Sequence, residues 1–388
     1  MTIHHTRVIR RAVSVTAIVL AVAVLVWPES TYAFDTAARE AILIDVETGS
    51  VILDKDSDKP APPASMSKLM TIYMLFDRLK EGAITLDDTM SVSEKAWRMG
   101  GSKMFVEVNS RIRVEDLIRG IVVQSGNDAC VVVAEGLSGS EEAFAEAMTE
   151  RGREIGLTDS SFTNSTGWPD PGHFMSARDL ATLTERLITD FPDYFHYFAE
   201  LDFTYHEIKQ GNRNPLLYKD MGADGMKTGH TEEAGYSLTA TAERNGRRLI
   251  LVVTGLDSVQ ARSSEAERIL SWGFRETKNY TLFKAGEEIE SADVWLGVAP
   301  KVPLVMDEDF TITMSRESRK EMTAKVVLES PVPAPIVQGT EIATLVISAP
   351  DLAPVEIPLQ AGADVDQQGV VGRLWSAATY KVFGSLGF

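Results

Sequence analysis

Tyr236-Ser237-Leu238-Thr239-Ala240-Thr241-Ala242-Glu243-Arg244-Asn245-Gly246-Arg247-Arg248-Leu249-Ile250-Leu251-Val252-Val253-Thr254 joins two β-forming runs through Asn-Gly. Both positions of a type I′ turn need positive φ, which Asn and Gly tolerate, so the stretch predicts a hairpin of Tyr236–Ala242 with Leu249–Thr254. Two apolar stretches within Ala41–Asp54, broken at Thr48-Gly49, predict a second hairpin. Helical patterns lie between the two hairpins. Pro60, Pro62 and Pro63 break the chain, after which Leu69, Met70, Ile72, Tyr73, Leu75, Phe76 and Leu79 form a broad apolar face. Further helices are predicted over Val114–Val122, over Ala129–Leu137 with Asp128 as its cap, and over Glu141–Ile155, Ser176–Ile188 and Ser263–Phe274. Strands at both ends with helices between them predict an α/β (α+β) fold, one antiparallel sheet sandwiched by helices.

The texture changes past Lys278. Alternation such as Phe310-Thr311-Ile312-Thr313-Met314, with Pro331, Pro333 and Pro335, predicts a small all-β domain over 277–367 after a main domain over 34–276. At the front, Arg7, Arg10 and Arg11 precede an uncharged run from Ala12 to Trp27, then Thr31-Tyr32-Ala33. That order predicts an export signal, residues 1–33, removed near Ala33. At the far end, Val371, Leu374, Trp375, Ala378, Val382, Phe383 and Leu386 recur at helical spacing with Arg373 and Lys381 between them. Residues 368–388 therefore read as an amphipathic helix that lies on a membrane surface.

A formal net charge of -18 and the absence of a Lys/Arg cluster in the body of the chain exclude a nucleic-acid surface. The single cysteine, Cys130, excludes an internal disulfide and reads as a packed helix thiol. The six histidines are scattered, with no metal-ligand spacing, so neither a metal nor a cofactor is expected.

Three peptides carry the chemistry: Ser65-Met66-Ser67-Lys68, Ser125-Gly126-Asn127 and Lys227-Thr228-Gly229. Together they supply what an acyl-serine enzyme without a histidine base requires. Ser65 stands where the prolines end and a helix begins, and Lys68 follows three positions on, within reach of its hydroxyl. A lysine of ordinary pKa is neutral in only about one molecule in 2,500 at pH 7, a penalty of about 4.6 kcal/mol on any base mechanism. Burial and a second cation, Lys227, would lower that pKa. Ser125 suits a proton relay and Asn127 a hold on a peptide amide. Lys227 with Thr228 suits a carboxylate, and Gly229 suits the close approach of an extended substrate. The backbone amides of Ser65 and His230 form a natural oxyanion pair, with His230 as a wall residue.

These motifs, with their contexts Leu117-Ile118-Arg119-Gly120 to Cys130 and Gly225-Met226-Lys227-Thr228-Gly229-His230-Thr231 to Tyr236, resemble the membrane-anchored D-alanyl-D-alanine carboxypeptidases, low-molecular-mass penicillin-binding proteins. The resemblance implies Ser65 as the acylated nucleophile, Lys68 as its base and the penicillin-binding protein/β-lactamase-like transpeptidase fold. It implies peptidoglycan stems ending in D-Ala-D-Ala as substrate and β-lactams as covalent inhibitors. It also implies a place on the periplasmic face of the inner membrane. Arg213, in Asn212-Arg213-Asn214, resembles the family arginine that borders the pocket for the terminal carboxylate. The alternatives are a β-lactamase, a DD-endopeptidase or transpeptidase of the same fold, and a silent wall-binding scaffold. A class A β-lactamase would carry Glu-x-x-Leu-Asn after the second motif, and here Glu154-Ile155-Gly156-Leu157 leads into Thr158.

Overall fold

The structure, a computed structural model, describes residues 34–350 and 352–372. These residues form two compact units, one running from Phe34 to Glu276 and the other beginning at Thr277. The export signal and most of the terminal helix, residues 373–388, lie outside the described residues. Among those described, no helix is long and apolar enough to cross a membrane.

The first unit is built on a five-stranded antiparallel sheet: β1 (Ala41–Asp45), β2 (Val51–Lys55), β3 (Ala223–Thr231), β4 (Gly235–Arg244) and β5 (Arg247–Leu256), in the order β2-β1-β5-β4-β3. Both hairpins form. Arg244 pairs with Arg247 across the late turn, where Asn245 and Gly246 take φ of 55° and 80°, as Asn-Gly requires. Alternation along β1 and β5 sends Ile42, Ile250 and Val252 into one core and Ala41, Leu43, Leu249, Leu251 and Val253 into another, so apolar residues cover both faces of the sheet. The first core packs against α1 (Lys68–Lys80), α2 (Val114–Val122), α3 (Asn127–Ser138), α4 (Glu141–Glu154) and α5 (Ala177–Asp190). The second packs against α6 (Val259–Glu276) through Ala266, Ile269 and Leu270.

One cap differs from expectation. Gly126, not Asp128, caps α3, and the buried Asp128 carboxylate instead accepts the backbone N–H groups of Met104, Phe105 and Val106 at 2.8, 2.8 and 3.2 Å. A carboxylate inside the first turn satisfies a neighbouring loop that has no ladder of its own.

The second unit holds a six-stranded sheet in the order Thr323–Leu328, Glu341–Ala349, Leu352–Ala361, Lys301–Val305, Glu290–Trp295, Val332–Pro333. A separate pair joins Thr277–Phe283 to Phe310–Ser315. Val302, Leu304, Leu345, Ile347 and Leu359 fill its core. One short helix, Arg316–Glu321, interrupts the strands, and its cap Ser315 accepts the Ser318 N–H.

Candidate active site

The prolines before Ser65 leave it in a single 3₁₀ turn, Ala64–Ser67, that runs directly into α1. Lys68 Nζ donates to Ser65 Oγ at 2.8 Å and to the Thr166 carbonyl at 2.5 Å. Its side chain is 0% exposed. Burial pulls the Lys68 ammonium down to about 8, Arg213 pushes the same way, and Asp128 opposes them. At pH 7 about one molecule in ten then carries the neutral amine, and the penalty falls from about 4.6 to about 1.4 kcal/mol.

The loop that supplies the Thr166 carbonyl carries no motif, and sequence reasoning passed over it. Asn164 Oδ1 accepts the N–H groups of Thr166, Gly167 and Trp168 together with the Thr166 hydroxyl. Ser165 donates from its backbone and hydroxyl to the buried Glu141, and its carbonyl takes the Thr71 hydroxyl. A Cβ on Gly167, where φ is +77°, would fall 1.9 Å from the Ala64 carbonyl, so this glycine lets the loop close onto the Ser65 turn.

Ser125 stands between α2 and α3 with φ of 60°, a left-handed conformation uncommon outside glycine. Its Oγ is buried with no hydrogen-bond partner among the described residues. Asn127 sits behind it: Nδ2 donates to the Gly100 carbonyl at 2.9 Å and its backbone N–H to the Ser102 carbonyl at 2.7 Å. In this state the Asn127 amide group therefore holds the 100–102 loop.

Lys227, Thr228 and Gly229 lie on β3, an outer strand of the sheet. Lys227 is 3% exposed, and its Nζ donates to the Thr228 carbonyl at 3.1 Å. Burial, then Lys68 and Arg213, hold its ammonium well below the ordinary lysine value. The sequence reading cast Lys227 as the cation that lowers Lys68. In the structure burial is the leading cause for Lys68, with Arg213 acting the same way, and Lys227 is itself lowered by burial and by Lys68. Gly229 has a second use that the sequence did not reveal. A Cβ there would meet the Pro63 carbonyl at 2.9 Å and Met66 Cγ at 3.2 Å, so the glycine lets β3 pack against the Ser65 turn.

Ser65, Ser125, Arg213, Thr228, Gly229 and His230 line one cleft of about 260 Å³, together with Ser102, Tyr236 and Arg262, which sequence reasoning did not single out. His230 is exposed and stacks on Tyr236 at 3.9 Å. Arg213 Nη1 donates to Ser102 Oγ at 2.6 Å. No acidic residue lines the cleft.

Residues 28–258 match the family model described as D-alanyl-D-alanine carboxypeptidase, and residues 278–367 match the C-terminal domain of penicillin-binding protein 5. The chain belongs to the D-alanyl-D-alanine carboxypeptidase family. It is 37% identical over 355 residues to the D-alanyl-D-alanine carboxypeptidase DacA of Haemophilus influenzae, across 89% of this chain and 90% of that protein. Its fold is similar to the crystal structure of penicillin binding protein 5 from the same organism, with a TM-score of 0.74, 36% identity, and coverage of 86% of this chain and 98% of that one. It is similar too to the carboxypeptidase DacD from Francisella tularensis, with a TM-score of 0.78, 26% identity, and coverage of 92% and 98%.

Proposed function

We propose that Ser65 carries the acyl group in the reaction that defines this family, removal of the terminal D-Ala from a peptidoglycan stem peptide. The chain is a serine-type D-alanyl-D-alanine carboxypeptidase. The observation that carries the residue-level reading is the 2.8 Å contact between Ser65 Oγ and a fully buried amine whose pKa lies at about 8.

Lys68 takes the Ser65 proton as Oγ attacks the penultimate D-Ala carbonyl. The amides of Ser65 and His230 receive the oxyanion. Ser125, whose hydroxyl has no partner of its own, passes a proton to the departing amine, and D-Ala leaves. Water activated by Lys68 then cleaves the ester. The stem peptide adds to the outer edge of β3 as a further strand, an arrangement that the sheet order supports. A β-lactam enters the same way and stays on Ser65.

The test is D-Ala release from a peptide ending in D-Ala-D-Ala, by wild type and by Ser65→Ala. Release by the wild type and none by the variant is expected, and labelled penicillin should map to Ser65. Label on any other residue overturns the assignment.

Export through residues 1–33 and peripheral attachment through residues 368–388 complete the reading. The charge order at the front and the helical spacing of apolar residues at the end support it. Removing the residues after Gln368 should release an active enzyme into the soluble fraction. Persistent membrane association would count against the anchor.

A further inference from the structure

Glu141 opens α4 and is 8% exposed, deep for a residue type that is rarely buried unless paired. Its Oε1 accepts the backbone N–H of Ser165 at 3.1 Å and the Ser165 hydroxyl at 2.7 Å, and its Oε2 pairs with Lys95 at 3.0 Å. Ser165 is fully buried, so water cannot serve its two donors in place of that carboxylate. The Ser165 carbonyl accepts the Thr71 hydroxyl at 2.6 Å, and the next carbonyl along the chain, that of Thr166, accepts Lys68 Nζ. Thr71 stands three positions after Lys68 on α1, so one helix face presents two donors to two successive carbonyls. Glu141 holds the same short segment from α4.

The Thr166 carbonyl bears on the chemistry through what a base amine must do. A neutral amine has two N–H bonds and one lone pair, and only the lone pair can receive the Ser65 proton. Among the described residues Lys68 Nζ has two hydrogen-bond partners, Ser65 Oγ and the Thr166 carbonyl. With an N–H committed to the carbonyl, the lone pair is free to face Oγ. As the proton arrives the amine becomes an ammonium and its bond to the carbonyl strengthens, so this contact favours the transition state over the ground state. That advantage requires a fixed carbonyl. Residues 163–168 belong to no helix or strand, so side chains must fix it.

We propose that Glu141 is a positioning residue for the base: by accepting both donors of Ser165 it holds the Thr166 carbonyl where Lys68 needs it. This rests on the reading of Lys68 as the base of a carboxypeptidase and deepens it. Glu141 does not line the cleft, so it acts through the loop and not on the substrate. Its role is that of an acceptor. The partner Lys95 is 44% exposed and shared with Glu142, so solvent screens that pair.

The experiment compares wild type, Glu141→Met, Glu141→Gln and Lys95→Met, at a temperature where circular dichroism shows each of them folded. Glu141→Met offers Ser165 no acceptor. It should lower kcat/KM for D-Ala release from a peptide ending in D-Ala-D-Ala by about 10²-fold, the cost of a reacting group displaced by about 1 Å. In acylation by benzylpenicillin the limiting rate should fall by a similar factor. The dissociation constant of the complex that precedes acylation should stay within about twofold, because Lys68 moves a proton and does not hold the ligand. Glu141→Gln, whose amide oxygen can accept both Ser165 donors, should recover most of the loss. Lys95→Met should stay within about twofold of wild type.

No loss in Glu141→Met, a loss confined to the dissociation constant, or a Glu141→Gln as slow as Glu141→Met overturns the proposal. So does a loss in Lys95→Met equal to that in Glu141→Met, which would make the ion pair the working unit. If Glu141→Met does not fold, Ser165→Ala replaces it: the backbone N–H remains, and the limiting acylation rate should fall about tenfold for the one lost hydrogen bond. An undiminished rate there overturns the proposal. If the wild type releases no D-Ala, the carboxypeptidase reading fails and the acylation arm decides the role of Glu141 alone. A wild type that neither releases D-Ala nor is acylated at Ser65 overturns both.

Discussion

On the outer surface of the first unit, arginines stand beside carboxylates: Arg119 with Glu115 and Glu200, Arg151 with Asp77 and Glu154, Arg248 with Asp224 and Glu243. All three are held above the ordinary arginine value, and hydrogen bonds to those carboxylates drive the rise. In and around the cleft, Lys68, Lys227, Arg213 and Arg262 are all held below theirs, chiefly by burial. The same residue types move in opposite directions because one set is hydrogen-bonded to carboxylates and the other is buried without a carboxylate partner. Paired surface charges add modestly to stability. Unpaired buried ones subtract from it and are retained where neutrality of an amine, or attraction of an anion, is the purpose.

Lys68→Met breaks this contrast most severely. Removing the proposed base should lower kcat/KM for D-Ala release by about 10³-fold or more. The same change deletes a desolvated cation, so the unfolding temperature at pH 7 should stay level or rise. A large loss of activity together with a large loss of stability would mean that Lys68 acts as scaffold, and calorimetry beside the activity assay separates the two. Ser125→Ala comes next, with an expected loss of about 10²-fold for a proton relay. Its Oγ has no partner to lose, so stability should not change. A loss of several kcal/mol would place the residue in the packing instead of the chemistry.

The pH profile sharpens the comparison further. With Lys68 as the proposed base its neutral form is the working one, so kcat/KM should rise about tenfold per pH unit up to about 8 and then level. Stability follows the same group. The folded amine releases its proton at about 8, whereas the unfolded chain keeps its own to 10.5. The unfolded state therefore binds the extra proton in that window, and stability rises with pH across it. Below about 8 both states are protonated and the penalty is complete. Lys68→Met should flatten this rise, as denaturant titrations between pH 7 and 10 would report.

Much of this architecture is legible in the sequence, for reasons that are local. Asn245-Gly246 fixes its hairpin because the dipeptide encodes the turn, and Val114–Val122 emerges as a helix with the expected bounds because its apolar spacing is regular. Ser65 and Lys68 are adjacent by helical geometry alone. What stayed hidden depends on distant chain segments. The acceptor for Lys68 is a backbone carbonyl, which any residue at position 166 would supply. Asp128 looks like a cap until the 104–106 loop is seen to claim it. Arg262 reads as one more helix arginine until its lack of a counter-ion is known. The strands Thr89–Ser91 and Arg111–Arg113 are three residues each, too short for any periodicity to register.

Arg119→Met tests the other side of the contrast and should have the smallest effect. Arg119 bridges Glu115, one turn earlier on α2, to Glu200, 81 residues away, and lies 5.0 Å from the centre of the Tyr197 ring. These groups are partly exposed, so solvent screens the pairs and about 1 kcal/mol of stability is the expected loss. The loss should shrink in 1 M salt, which shortens the screening length to about 3 Å. Activity should stay within about twofold, because Arg119 has anions of its own and does not line the cleft. A fall in kcat/KM as large as that expected of Ser125→Ala would show that the paired shell also sets the chemistry, and the division between the two groups of cations would collapse.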